Sequence, residues 1–322
     1  MTLMLRRALS SIALVALTAC GSSDLSTSDA QADANGIGTT DGADPGPNDA
    51  APPPPTSGYL RVAQLSAEVG TVDLCLRAKG TQGFVGPLLI AAAPFSDAGA
   101  GDAGDAGATG VPFGAVSSWV SVPTTGALDV AIVPAGDVNC SAPRVLGQTT
   151  VDVGKRVTLA VMGTKTADAG ARTLGVESFV DDAVPHAQTT RVRVIHGALG
   201  TANAPAWPAL SASCAWGNQV DPIAVTVLPR HASSPSAVAP QVDALGYHER
   251  AAVTVPAALR FSTAPDAGAA GGPWSTKPVE LGLAQGTVVT AFLLSLDQDL
   301  GALVCNDLPP SGAPSCQLLR AK

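Results

Sequence analysis

The chain has 322 residues, a formal net charge of −8, 14% charged residues and 4% aromatic residues. An acidic balance excludes nucleic-acid binding as the leading role, because that needs Lys and Arg to neutralise phosphates. With so few aromatics, any core must be built from Val, Leu, Ile and Ala, and at roughly 150 residues per domain the length suits about two domains.

Arg6 and Arg7 precede an apolar stretch from Ala8 to Thr18. That stretch fits a signal-peptide core and is short of the roughly 20 helical residues that span a bilayer. It closes with Leu17-Thr18-Ala19-Cys20 and then Gly21. This run is similar to the lipobox of bacterial lipoproteins. The resemblance implies a signal peptide over residues 1–19, a mature chain starting at lipidated Cys20, and a membrane held through that lipid. Gly21, rather than Asp, favours export to the outer membrane or cell surface over inner-membrane retention.

Residues 20–58 read as a tether. From 21 onward they lack Lys, Arg and aromatic side chains, carry Asp24, Asp29, Asp33, Asp41, Asp44 and Asp49, and end near Pro52-Pro53-Pro54-Pro55. Low hydrophobicity with one sign of charge cannot offset the cost of ordering a chain, so disorder with a stiff polyproline end is expected.

The remainder repeats itself. Leu60-Arg61-Val62 matches Val192-Arg193-Val194, Phe113-Gly114 matches Leu245-Gly246, and Gly154-Lys155-Arg156-Val157-Thr158 matches Gly286-Thr287-Val288-Val289-Thr290, all at an offset of 132. Val72-Asp73 pairs with Val220-Asp221 at 148, which implies an insertion at about residues 199–219, and Leu174-Gly175 pairs with Leu300-Gly301 at 126. Two copies are too few for a solenoid. Two domains are expected, over residues 59–184 and 190–322.

Each copy shows period-2 alternation between Gly/Pro/Asp turns. Strands are predicted at Leu60–Gln64, Val72–Arg77, Leu128–Ile132 and Val157–Val161. The second copy repeats them at Val192–His196, Ile223–Leu228, Ala251–Val255 and Val288–Leu294. The fold class is all-β: two tandem antiparallel sandwiches, each sheet with one buried face. Pro222, inside a strand, marks an edge.

These residues resemble the bacterial family called domain of unknown function 4397. The resemblance lies in Arg61-Val62-Ala63-Gln64 with Val72-Asp73-Leu74-Cys75-Leu76, and in Arg193-Val194-Ile195-His196 with Val220-Asp221-Pro222-Ile223-Ala224. Phe113-Gly114 before Val122-Pro123, Gly246 before Val255-Pro256, and the closing Phe179-Val180-Asp181-Asp182 also fit. It spans about residues 58–322 and implies an immunoglobulin-like sandwich, often duplicated in secreted or lipid-anchored proteins, with no catalytic residues to carry over.

No phosphate loop, His-Glu-x-x-His, Cys-x-x-Cys or Gly-x-Ser-x-Gly occurs. His186, His196, His231 and His248 are not at metal-ligand spacing, and no Ser/His/Asp set stands out. Asp-Ala-Gly at Asp97, Asp102, Asp105, Asp168 and Asp266 reads as solvated loop filler rather than a calcium loop. No catalytic residue, metal or cofactor is expected. Trp207 and Trp216, in the insertion, are the candidate contacts for a glycan or protein partner.

Setting Cys20 aside leaves five cysteines. Outside the cytoplasm disulfides are expected. Cys75 and Cys140 share the first copy and are natural partners. Cys305 and Cys316 suit a C-terminal clasp, leaving Cys214 over, although Cys214 with Cys305 is the alternative. The expected function is a lipid-anchored, extracytoplasmic, non-catalytic binding or cell-surface structural module, with a cell-envelope hydrolase as the rival.

Overall fold

The computed structural model describes residues 56–89, 110–123, 125–165, 172–182, 184, 186–200, 209–216, 219–237, 239–251, 258–263, 274–275, 286–296, 299–307 and 315–320. Cys20, the tether through residue 55, Trp207 and the five Asp-Ala-Gly aspartates lie outside them. Every named element among the described residues is a strand, so the all-β expectation is met.

The first module holds β1 (Gly58–Gln64), β2 (Val72–Ala78), β3 (Ala115–Val116), β4 (Val120–Val122), β5 (Gly126–Pro134), β6 (Val145–Val151), β7 (Arg156–Met162) and β8 (Gly175–Asp181). One sheet runs β3-β1-β7-β8, with β4 also on β1, and the other runs β2-β5-β6. The second module holds β9 (Thr189–His196), β10 (Leu210–Trp216), β11 (Gln219–Val227), β12 (Tyr247–Ala251), β13 (Ala258–Thr263), β14 (Trp274–Ser275), β15 (Val288–Leu296), β16 (Asp299–Asn306) and β17 (Cys316–Arg320). Its sheets run β12-β9-β15-β16-β17 and β11-β10-β13-β14.

The sandwiches are not wholly antiparallel. β1 pairs with β7, and β9 with β15, in parallel. The chain visits the opposite sheet between the two members of each pair and returns in the same direction, as a parallel neighbour requires.

Leu60, Val62, Leu74, Val130, Ile132 and Leu159 pack between the sheets of the first module. Val194, Ile223, Phe261, Ala291 and Leu293 do so in the second. A third cluster joins Ala63, Leu65, Ala160 and Met162 of the first module to Ile195, Phe292, Leu294 and Leu303 of the second. The central strands are therefore buried on both faces, contrary to the expectation of one solvated face. Their alternating residues serve two cores, and residues Pro53–Lys322 form one compact unit.

The repeat holds strictly at the 132 offset for the central strands. Leu65 N donates to Val161 O at 2.9 Å, and Gly197 N to Leu293 O at 3.0 Å. Gly154 and Gly286 take matching positive φ values of 72° and 77° before β7 and β15. Elsewhere the structure corrects the alignment. β10 pairs with β13 as β2 pairs with β5, so β10, not the Val220-Asp221 strand, is the counterpart of β2. The C-terminal part of the expected insertion, Leu210–Trp216, is this strand. Gly114 N donates to Gln64 O at 2.8 Å, and the matching bond at His196 O, also 2.8 Å, comes from Arg230 N. Arg230, at φ 68°, is thus the counterpart of Gly114, at φ 74°, and the Leu245-Gly246 match is displaced. Pro222 lies on β11, which ends its sheet among the described residues, opposite Ser213 where the register with β10 shifts, as a strand proline favours.

Candidate functional site

Two regions gather chemistry-bearing side chains. One is the seam between the modules. β1 and β9 each present an Arg to the partner module, because Leu60 and Val62 beside Arg61, and Val192 and Val194 beside Arg193, face their own cores. Arg61 and Arg193 are consequently fully buried. β7 and β15 supply Thr158 and Thr290, β8 supplies Asp181, and Asp307 follows β16.

The bonds cross the seam. Arg61 Nη2 meets Asp307 Oδ1 of the other module at 2.6 Å, and its own module's Asp181 Oδ1 at 3.4 Å. Arg193 Nη2 donates across the seam to Asp181 Oδ1. Arg61 Nε donates to Thr158 Oγ1 at 2.7 Å, and Arg193 Nε to Thr290 Oγ1 at 3.3 Å. The two hydroxyls then donate to carboxylates, Thr158 to Asp181 at 2.6 Å and Thr290 to Asp307 at 2.5 Å. Trp119 and Tyr247 stack on Arg61 and Arg193, each 4.5 Å from guanidinium carbon to ring centroid. The result is a pseudo-two-fold network of two cations and two carboxylates, neutral in sum, with aromatic lids.

Burial pushes both guanidinium groups down, but the carboxylates of Asp307 and Asp181 hold both above the ordinary value. Burial raises the Tyr247 phenol well above its ordinary range. It therefore stays protonated and donates to Asp307 Oδ2 at 3.3 Å. The symmetry also breaks at the other terminal nitrogen: Arg193 Nη1 donates to Val180 O at 2.8 Å, whereas Arg61 Nη1 meets no acceptor.

The second region is the solvent side of β2-β5-β6. Register places Arg77, Asp129 and Gln148 in one row across three strands. Arg77 Nε donates to Asp129 Oδ2 at 2.9 Å, and Gln148 Nε2 to Asp129 Oδ1 at 3.1 Å. Phe84 stacks on Arg77 at 4.6 Å. These residues, with Val130, Leu146 and Gly147, line a shallow groove of about 300 Å³. Beside it, on the same face of the sheet, the Cys75–Cys140 disulfide packs with Ala131, Val133 and Phe84.

Residues 90–206 match the family model described as Domain of unknown function (DUF4397). This supports one such domain in the chain. The matched DUF4397 segment contains β3 through β9, so it ends just inside the second module and holds Thr158, Asp181 and Arg193 of the seam. No curated protein matches the chain.

Cys75–Cys140 and Cys305–Cys316 are both bonded, as the sequence indicated. Cys214 is buried in the second core and belongs to neither disulfide. Trp216 is the last residue of β10, opposite Gln219 across a tight hairpin, rather than part of an inserted loop. His196 is buried, and its Nδ1 lies 3.3 Å from the Ala198 amide as acceptor. His186 Nδ1 pairs with Glu249 Oε2 at 2.9 Å. Among the described residues, no group of three His, Cys, Asp or Glu is placed to hold a metal.

Sequence reading did not single out Arg61, Arg193, Asp181 and Asp307 as a set. A signal was present: the strongest repeat match keeps an Arg in mid-strand, and the closing motif of the first copy ends in Asp181. A charge kept at one strand position in both copies is a mark of paired burial rather than of a solvated face.

Proposed function

We propose that this protein is a lipid-anchored, extracytoplasmic module that acts by binding or by building cell-surface structure, not by catalysis, and that both of its sandwiches are DUF4397-like domains. The observation that carries the reading is the seam. Its two Arg and two Asp side chains, fully buried, neutralise one another and lock two sandwiches into one body. Charge of that strength is spent on holding shape, which suits a rigid display scaffold. The lipobox-like run at residues 17–20, the tether to residue 58 and two disulfides support an anchored protein in an oxidising compartment. The membrane, through Cys20, is the first partner; a protein or glycan is the second. Trp207 and Trp216 remain candidate contacts for it.

Acyl labelling in the native cell tests the anchor. Cys20→Ser should abolish the label and release the protein or leave its precursor uncleaved, and an unchanged label overturns it. Proximity labelling of the intact lipoprotein tests the binding role. Saturable enrichment of a partner is expected, and turnover of an envelope substrate by the purified chain would overturn the non-catalytic reading.

A further inference from the structure

We propose that the outer face of β2-β5-β6 binds an acidic oligosaccharide, with its carboxylate or sulfate on Arg77 and a sugar-ring face on Leu146. The inference rests on the binding reading above and gives it a site and a ligand class. The row Arg77, Asp129 and Gln148 uses only part of its hydrogen-bonding capacity on itself. Arg77 donates through Nε alone, and among the described residues no protein acceptor meets its Nη1 or Nη2. Gln148 gives Nε2 to Asp129, which leaves its Oε1 without a donor among the described residues. The bonds along the row and the Phe84 ring on Arg77 hold these side chains, so the spare groups are oriented before a ligand arrives.

The groove over this row has a neighbour. Lys79 N donates to Ala127 O at 3.0 Å, and Ala127 pairs with Thr150. Two residues along each strand from the first row, Lys79 and Thr150 therefore stand on the same face, with only the Ala127 methyl between them. A second shallow groove, of about 190 Å³, opens there and shares Gln148 with the first. The rows are about 7 Å apart, so a ligand crossing both is an oligomer rather than a single sugar. On the other side of the first row, Leu146 is 64% exposed and offers an apolar platform. This lining favours a sugar over a peptide. A sheet face has no free main-chain ladder for a peptide to pair with. A sugar needs fixed donors and acceptors for its hydroxyls and an apolar surface for its C–H face, and both are present. Charge sets the sign. Among the described residues, Arg77, Lys79 and Asp129 are the charged groups lining the two grooves, a local excess of one positive charge on a chain of net −8. The free Nη1 and Nη2 of Arg77 form a two-donor fork that matches a paired-oxygen anion.

The test is an array of uronate, sulfated and neutral oligosaccharides of matched length, probed with the full chain carrying Cys20→Ser, followed by calorimetric titration of the best binder. Saturable binding to a uronate or a sulfated oligosaccharide is expected, and which of the two binds names the anion. Its carboxyl-reduced or desulfated form should not bind. Arg77→Gln and Leu146→Glu should each weaken binding about tenfold or more. Leu146 is exposed, so its variant should melt like the parent and separates lost binding from lost fold. Binding to no acidic oligosaccharide, equal binding to the neutral ones, or binding that survives Arg77→Gln overturns the proposal. Binding that survives Arg77→Gln but is lost in Trp216→Ala moves the ligand to the second module and leaves the binding reading standing. If no oligosaccharide binds, proximity labelling decides that reading separately: a saturable protein partner keeps it, and none overturns it.

Discussion

The molecule contains the same triad twice in different surroundings. Arg61 pairs with Asp307 at 2.6 Å under Trp119, and Arg77 pairs with Asp129 at 2.9 Å under Phe84. Distances and stacking are nearly alike. The first pair is fully buried between modules, whereas the second is on an open sheet face with Arg77 34% exposed. Geometry alone would rank them equal. Solvent decides otherwise: water screens the outer pair and can replace either partner, while the seam offers an orphaned charge no substitute.

The largest expected effect breaks the seam. Asp307→Ala leaves Arg61 without its closest carboxylate and should lower the unfolding free energy by about 3–5 kcal/mol, measured by urea denaturation. A loss as small as that of an exposed pair would erase the contrast between the two triads. Next come the disulfides, Cys75–Cys140 beside the outer row and Cys305–Cys316 at the inter-module cluster. Removing Cys75–Cys140, which spans 65 residues, should cost about 4 kcal/mol in the chain-entropy model. Removing Cys305–Cys316, which spans 11, should cost about 1.5 kcal/mol less.

Thr290→Val sharpens the comparison within the seam. It removes a hydroxyl that accepts from Arg193 and donates to Asp307, and should cost about 1–3 kcal/mol by the same assay. Asp129→Ala on the outer face should cost about 0–1 kcal/mol, fading with added salt, whereas the Asp307→Ala loss should persist in salt.

The smallest effect is on acidification. Burial pushes the Glu249 carboxyl up, but hydrogen bonds from His186 and Thr189 hold it below its ordinary 4.5. Burial likewise raises Asp182, and Arg191 and Val184 bring it below 3.8. Depressed carboxylates add stability above their ordinary pKa and lose it as pH falls through the lowered folded value. Thermal melts should therefore hold steady down to about pH 5 and decline below about pH 4. With side chains 33% and 39% exposed, these two groups should account for under about 1 kcal/mol of that decline.

Much of this architecture was legible in residue order. The apolar runs of β1, β2, β5, β7, β9 and β15 are local enough to be recognised as strands, although β1, β7, β9 and β15 turn out to be buried on both faces. The 132 offset located both central strand pairs, and cysteine position indicated Cys75–Cys140 and offered Cys305–Cys316 beside the alternative Cys214–Cys305, which the structure does not form. What the sequence left hidden had non-local causes. β10, Leu-Ser-Ala-Ser-Cys-Ala-Trp, is weakly patterned and is a strand because β11 and β13 pair with it on both sides. Arg61 and Asp307, 246 residues apart in the chain, look like surface charges until the modules close over them. Local pattern reports which face of a strand avoids water, but only the packing of one module on the other decides whether the opposite face ever meets it. That packing made one Arg–Asp pair a buried lock and left the other on the surface.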